Sequence, residues 1–150
     1  MSETPQKTPS VNSRSLLLPY ALGLIIAMAI VHVVIAVTGG RVTVLAGALT
    51  AVVALGIVVW LRRNRKQLRR VRFGVVIAHT LAYVTVTTSF TLHLVIRVIA
   101  LGSGGDASGA IGAALLGGSW FGATLVMSAL WGLGLLIHLI GTVLGRGWED

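Results

Sequence analysis

The stretch RRNRKQLRRVR, residues 62–72, decides the fold. It carries seven of the chain's twelve basic residues and stands between two apolar runs, Val42 to Leu61 and Phe73 to about Leu101. Two further runs lie outside these, Leu16 to Val37 before them and about Trp120 to Leu144 after them. Each run has the roughly 20 residues needed to cross about 30 Å of hydrocarbon. None alternates with period two, and each is about twice as long as a barrel strand. Backbone groups in lipid must bond within their own segment, so the runs are read as helices. The expected fold is all-α, an integral membrane, antiparallel four-helix bundle.

Basic residues collect on the cytoplasmic side of membrane proteins. The 62–72 stretch therefore fixes orientation, and Lys7 and Arg14 before the first run and Arg146 after the last fall on the same side. The N- and C-termini are expected in the cytoplasm, with only Arg41 and Arg97 near the opposite face. The parts read as a polar N-terminal segment, 1–15, a first transmembrane hairpin, 16–61, and a basic cytoplasmic loop, 62–72. A second hairpin, 73–144, and a short tail, 145–150, follow. Pro19 falls in the first turn of its run, where a missing N–H costs little. The first run is too long for a cleaved signal core. Trp60 and Trp148 read as interfacial anchors.

Composition supports a membrane chain. Only 11% of the 150 residues are charged and mean hydropathy is +0.92, against about 25% charge in soluble domains. The four acids, Glu3, Asp106, Glu149 and Asp150, all lie outside the apolar runs. Paired-carboxylate catalysis and carboxylate-coupled ion transport lose their key groups. There are no cysteines, which removes thiolate metal sites and Cys nucleophiles. No nucleophile elbow, zinc-protease motif or phosphate loop is present. No catalytic residue is assigned. A net charge of +8 can mark nucleic-acid binders, but here the charge sits in a short segment between membrane helices. The partners expected are the lipid bilayer, with anionic head groups at Arg62–Arg72, and a membrane protein or second copy of the chain; nucleic acid is not expected.

The four histidines all lie inside apolar runs, where ionisable residues are functional candidates by default. Their depths pair. His32 stands nine residues before Arg41 and His93 nine before Gly102, toward the outer face. His79 stands seven after Arg72 and His138 eight before Arg146, toward the cytoplasm. His79 and His93, fourteen apart, fall within about 40° of one helix face and roughly 21 Å apart along it. This layout resembles the b-type membrane cytochromes, in which four-helix bundles hold bis-histidine haems. The resemblance implies haem b as cofactor, with His32 and His93 as one ligand pair and His79 and His138 as the other. Helices 1 and 3 would be diagonal in the bundle. Arg41 and Arg97 would meet outer propionates, and Arg72 and Arg146 inner ones. Zinc or copper on the same pairs is a further reading, though two histidines do not complete a tetrahedral site. The bland alternative is that each histidine bonds a neighbouring hydroxyl or carbonyl; Thr80, Thr85, Thr87, Thr88 and Ser89 are at hand.

A weak repeat links the hairpins. Residues 31–35 (VHVVI) read like 92–96 (LHLVI), and 55–61 (LGIVVWL) like 133–139 (LGLLIHL). In the second half, about 69 to 144, Arg72, Phe73, His79 and Tyr83, then Trp120-Phe121, then Trp131, Gly132, Gly134 and His138 form a spaced pattern. It resembles the bacterial two-transmembrane-segment (2TM) domain family. That family implies a helical hairpin, found alone or attached to signalling proteins, with His79 and His138 as a contacting pair, and a bacterial cytoplasmic membrane location. Thr87 stands where the family would have Asn. Gly122, Gly132 and Gly134 are read as permitting close helix approach. The favoured function is a structural or partner-binding membrane subunit. The alternative is a bis-histidine haem subunit for transmembrane electron transfer, and metal binding or transport comes last.

Overall fold

The computed structural model describes residues 13–71, 73–102, 109, 112, 113 and 118–144. Helix α1 spans Ser13–Val37, α2 Val44–Arg70 and α3 Gly74–Gly102. Helix α4 begins as Ser119–Phe121, passes through a π-helical turn at Gly122–Val126 and continues as Met127–Leu144. All four helices are long and apolar enough to cross a membrane, and no strand occurs among the described residues. The all-α reading thus holds, and each of the four apolar runs forms one such helix.

Two boundaries differ from the sequence reading. Helix α1 starts at Ser13, so Pro19 lies inside it rather than in its first turn and forgoes one helical hydrogen bond. The basic stretch expected as a loop is helical as far as Arg70. Arg, Lys, Gln and Leu are all good helix formers. Leu68 is buried at its end, and Asn64 Nδ2 donates to the Trp60 carbonyl at 2.9 Å. Arg69 and Arg70 in the last turn also favour the negative end of the helix dipole. The chain turns toward α3 at Val71 and Phe73 instead. Phe73 adopts φ +61°, a left-handed conformation that costs about 1–2 kcal/mol for a non-glycine residue.

We call this corner the basic end and the α1–α2 corner the far end. At the far end Gly39 and Gly40 both take positive φ, +85° and +69°. Thr43 then opens α2, its hydroxyl accepting from the Ala46 N–H at 3.4 Å.

Helix α3 is the centre of the packing, touching α1, α2 and α4, while α4 rests chiefly on α3. The sequence reading put α1 and α3 on a diagonal; they are direct neighbours. Ala78 and Ala82 on α3 are fully buried, and their small side chains admit α1 closely enough for the Tyr20 hydroxyl to donate to the Ala78 carbonyl at 3.4 Å. Tyr20 also stacks on Trp60 with ring centres 3.9 Å apart, so Trp60 is a packing residue of the basic-end core. A second core at the far end contains Met28, Val31, Ile35, Val86, Phe90 and Trp120. Outward-facing residues remain apolar, as at Ile26, Ile30, Leu130 and Ile137, a surface that suits hydrocarbon rather than water.

Candidate functional site: two histidine pairs

On α3, His79, Tyr83, Val86, Phe90 and His93 recur at intervals of four, three, four and three. That spacing holds one face of a helix. His93 at the far end of this face meets His32 of α1, ring centres 5.0 Å apart and tilted by 36°. His79 at the basic end meets His138 of α4, also at 5.0 Å and tilted by 47°. The structure therefore brings together the four histidines in the pairs that their depths suggested.

Aromatic rings occupy the space between the pairs. Tyr83 meets Trp131 edge to face at 5.9 Å. Phe90 lies 5.0 Å from the His32 ring and 6.4 Å from Trp120, and Trp120 is 5.2 Å from the His93 ring. Tyr83 donates to the Ser128 carbonyl at 3.4 Å, so it packs α3 on α4 and does not orient His79. Gly132 admits this tyrosine: a Cβ there would lie 3.0 Å from its hydroxyl. Gly122 and Gly134 have open space instead, and no close approach depends on them. The π-turn between Trp120 and Trp131 shifts the register of α4, with Met127 N–H bonding the Gly122 carbonyl.

The hydrogen bonds bear on what the histidines are for. The hydroxyls of Thr87, Ser89 and Thr91 all turn back to carbonyls of their own helix. Neither ring nitrogen of His32 has a partner, although both are buried. Such a group costs about 1–3 kcal/mol to leave unmatched. His79 differs: its Nδ1 lies 2.8 Å from the Val75 carbonyl. A carbonyl only accepts, so Nδ1 carries the hydrogen, and in the neutral ring Nε2 keeps its lone pair for a ligand. This is how ligand histidines are commonly oriented.

Among the described residues no group of three His, Cys, Asp or Glu side chains could hold a metal ion. Each pair supplies two nitrogens and nothing more. A bare zinc or copper ion would lack the rest of its shell, whereas haem brings four nitrogens of its own and asks the protein for two axial ligands. The donor set thus fits haem. Metal–imidazole bonds are about 2 Å long, so ligands on opposite faces of one iron hold their ring centres about 6 Å apart. Each pair would have to part by about 1 Å from its present 5.0 Å to hold a haem, and beside the far pair Phe90 and Trp120 would also have to give way.

The arginines assigned to propionates are placed otherwise. Arg97 Nη1 donates to the Gly39 carbonyl at 3.1 Å and to that of Gly40. Trp120 Nε1 donates to the same Gly40 carbonyl at 3.1 Å. Arg97 is therefore a clamp on the far corner. Arg41 is exposed there, and Arg72 and Arg146 lie outside the described residues. At the basic end the sequence reading missed a different set. Arg62, Arg65 and Arg69 line a cavity of about 390 Å³ whose wall includes His79 and His138. Their spacing of three and four was the available signal, hidden by reading the stretch as a loop.

The chain matches no protein-family model, no curated protein and no solved structure.

Proposed function

We propose that this chain is a multi-pass membrane subunit of the bacterial cytoplasmic membrane that passes electrons across the bilayer through two bis-histidine haem sites. In this reading its helices run antiparallel and the basic end faces the cytoplasm. One observation carries the proposal: two facing histidine pairs stand at opposite ends of one face of α3, with both nitrogens of His32 unmatched. A histidine serving only packing would be expected to find a partner; a histidine kept for a ligand has none until the ligand arrives. His32 and His93 would hold the far haem, and His79 and His138 the basic-end haem. Bound haem supplies one-electron chemistry at each level. The chain's own part is to fix the ligands on helices, to hold Nδ1 of His79 on Val75, and to exclude water with Phe90 and Trp120.

The test is a reduced-minus-oxidised visible spectrum of the full chain, purified in detergent after expression with ample haem. A sharp α-band is expected. It should halve in His32→Ala or His93→Ala and also in His79→Ala or His138→Ala. A protein of full helical content with no band would overturn the proposal.

A second reading is a structural or partner-binding bundle without cofactor, its second half of the 2TM type. The observation favouring it is that both ring pairs already touch and Phe90 and Trp120 fill the far site. A colourless protein that copurifies with another membrane protein would establish it.

A further inference from the structure

The basic stretch is a helix, so its charges have faces. Arg62, Arg65 and Arg69 project within about 60° of one another around α2. Arg63, Lys66 and Arg70 project on the adjacent face, about 100° round the helix. The first set rims the basic-end cavity of about 390 Å³; the second does not line it. Below the rim the wall is apolar, formed by Val58, Leu61 and Val75, with the histidine pair at its side. No carboxylate stands among the described residues to neutralise these arginines. The cavity lies where the apolar part of α2 passes into its charged end, the level at which head groups meet acyl chains.

We infer that this cavity is a site for one anionic phospholipid, its phosphate held by Arg62, Arg65 and Arg69 and its glycerol and upper acyl chains lying on Val58, Leu61 and Val75. Phosphate suits the site because guanidinium groups bind it in paired hydrogen bonds and stay charged at every physiological pH. An acyl-bearing molecule suits it because Val58, Leu61 and Val75 give the cavity an apolar wall below the arginines, beside His79 and His138. The phosphate is held by arginines alone, although His79 and His138, the second histidine pair, share the cavity wall.

The experiment is native mass spectrometry of the full chain titrated with phosphatidylglycerol or with phosphatidylcholine of the same acyl chains. One phosphatidylglycerol should be retained about tenfold more tightly than phosphatidylcholine. Arg65→Gln with Arg69→Gln should abolish that preference. Arg63→Gln with Arg70→Gln removes the same charge from the other face and should keep it within about twofold of wild type. Equal losses in the two double variants would overturn the site, leaving only general attraction of a basic segment to an acidic surface. So would displacement of the lipid by millimolar glycerol 3-phosphate, which would make this a site for a soluble phosphate. Helical content of both variants, read by circular dichroism, separates loss of the site from loss of the fold. An unchanged haem band in Arg65→Gln/Arg69→Gln would leave the electron-transfer reading standing if the lipid site failed.

Discussion

The far and basic ends hold the same two rings at the same 5.0 Å in opposite surroundings. The far pair is boxed by Phe90 and Trp120 and roofed by a corner to which Arg97 and Trp120 both bond. The basic-end pair borders an open, arginine-rimmed cavity, and His138 is exposed. The lone nitrogens follow the reverse order: the enclosed His32 has no partner, while His79 is tied to Val75. Enclosure at the far end is supplied by apolar and aromatic packing, which satisfies volume but not hydrogen bonds. A protein can thus make two similar ligand pairs while giving one rigidity and the other access.

That contrast can be broken at several points. The largest effect is expected from Phe90→Ala, which removes a ring only 2% exposed from against His32 and Trp120. It should cost about 3–5 kcal/mol in detergent unfolding. Tyr83→Ala near the other pair should cost less, because Tyr83 is only half-buried. Equal losses would remove the difference in packing between the ends.

Next comes the corner. Gly40→Ala must accept a positive φ and set a Cβ against the Arg97 guanidinium, and should cost about 2–3 kcal/mol. Gly39→Ala meets open space and should cost only about 1–2 kcal/mol of backbone strain. If the order is reversed, the Arg97 clamp does not hold the corner.

His32→Leu should act in the opposite sense. In haem-free protein it removes two unmatched buried nitrogens and should stabilise by about 1–2 kcal/mol. His79→Leu loses the bond to Val75 and should bring no such gain. Destabilisation by His32→Leu in haem-free protein would mean that its nitrogens are matched, and the asymmetry between the pairs would be gone. The smallest effect is Trp120→Phe, which keeps the ring but loses the N–H to Gly40; about 1 kcal/mol is expected.

Much of this was legible from the sequence. The four spans follow from run length, and the histidine pairs from counting residues to the nearest membrane edge. Both quantities run along a helix axis, where 1.5 Å per residue leaves little freedom. What failed was rotation and proximity about the axes. In lipid, inward and outward faces are equally apolar, so composition does not say that α1 touches α3 or that Arg97 turns to Gly39 and Gly40. The alanines at 78 and 82 held that information, but only beside the residues they admit. The basic stretch failed for another reason. Dense charge between apolar runs looks like a break in structure, although its residue types favour helix and Leu68 supplies an anchor.

The two hydrogen bonds accepted by the Gly40 carbonyl also carry a consequence in time. Its second donor, Trp120, lies 80 residues further along the chain. At about 5–20 residues per second, roughly 4–16 s of synthesis separate the carbonyl from that donor. Trp120 also walls the His93 ring, and because it follows His93 by 27 residues that wall is added roughly 1–5 s after the histidine. A guest bound for the far pair would have its widest entry before Trp120 is in place, whereas the basic-end pair borders a cavity that exchange of its lipid would reopen. The two sites would load at different stages of the protein's life, early at the far end and at any time at the basic end.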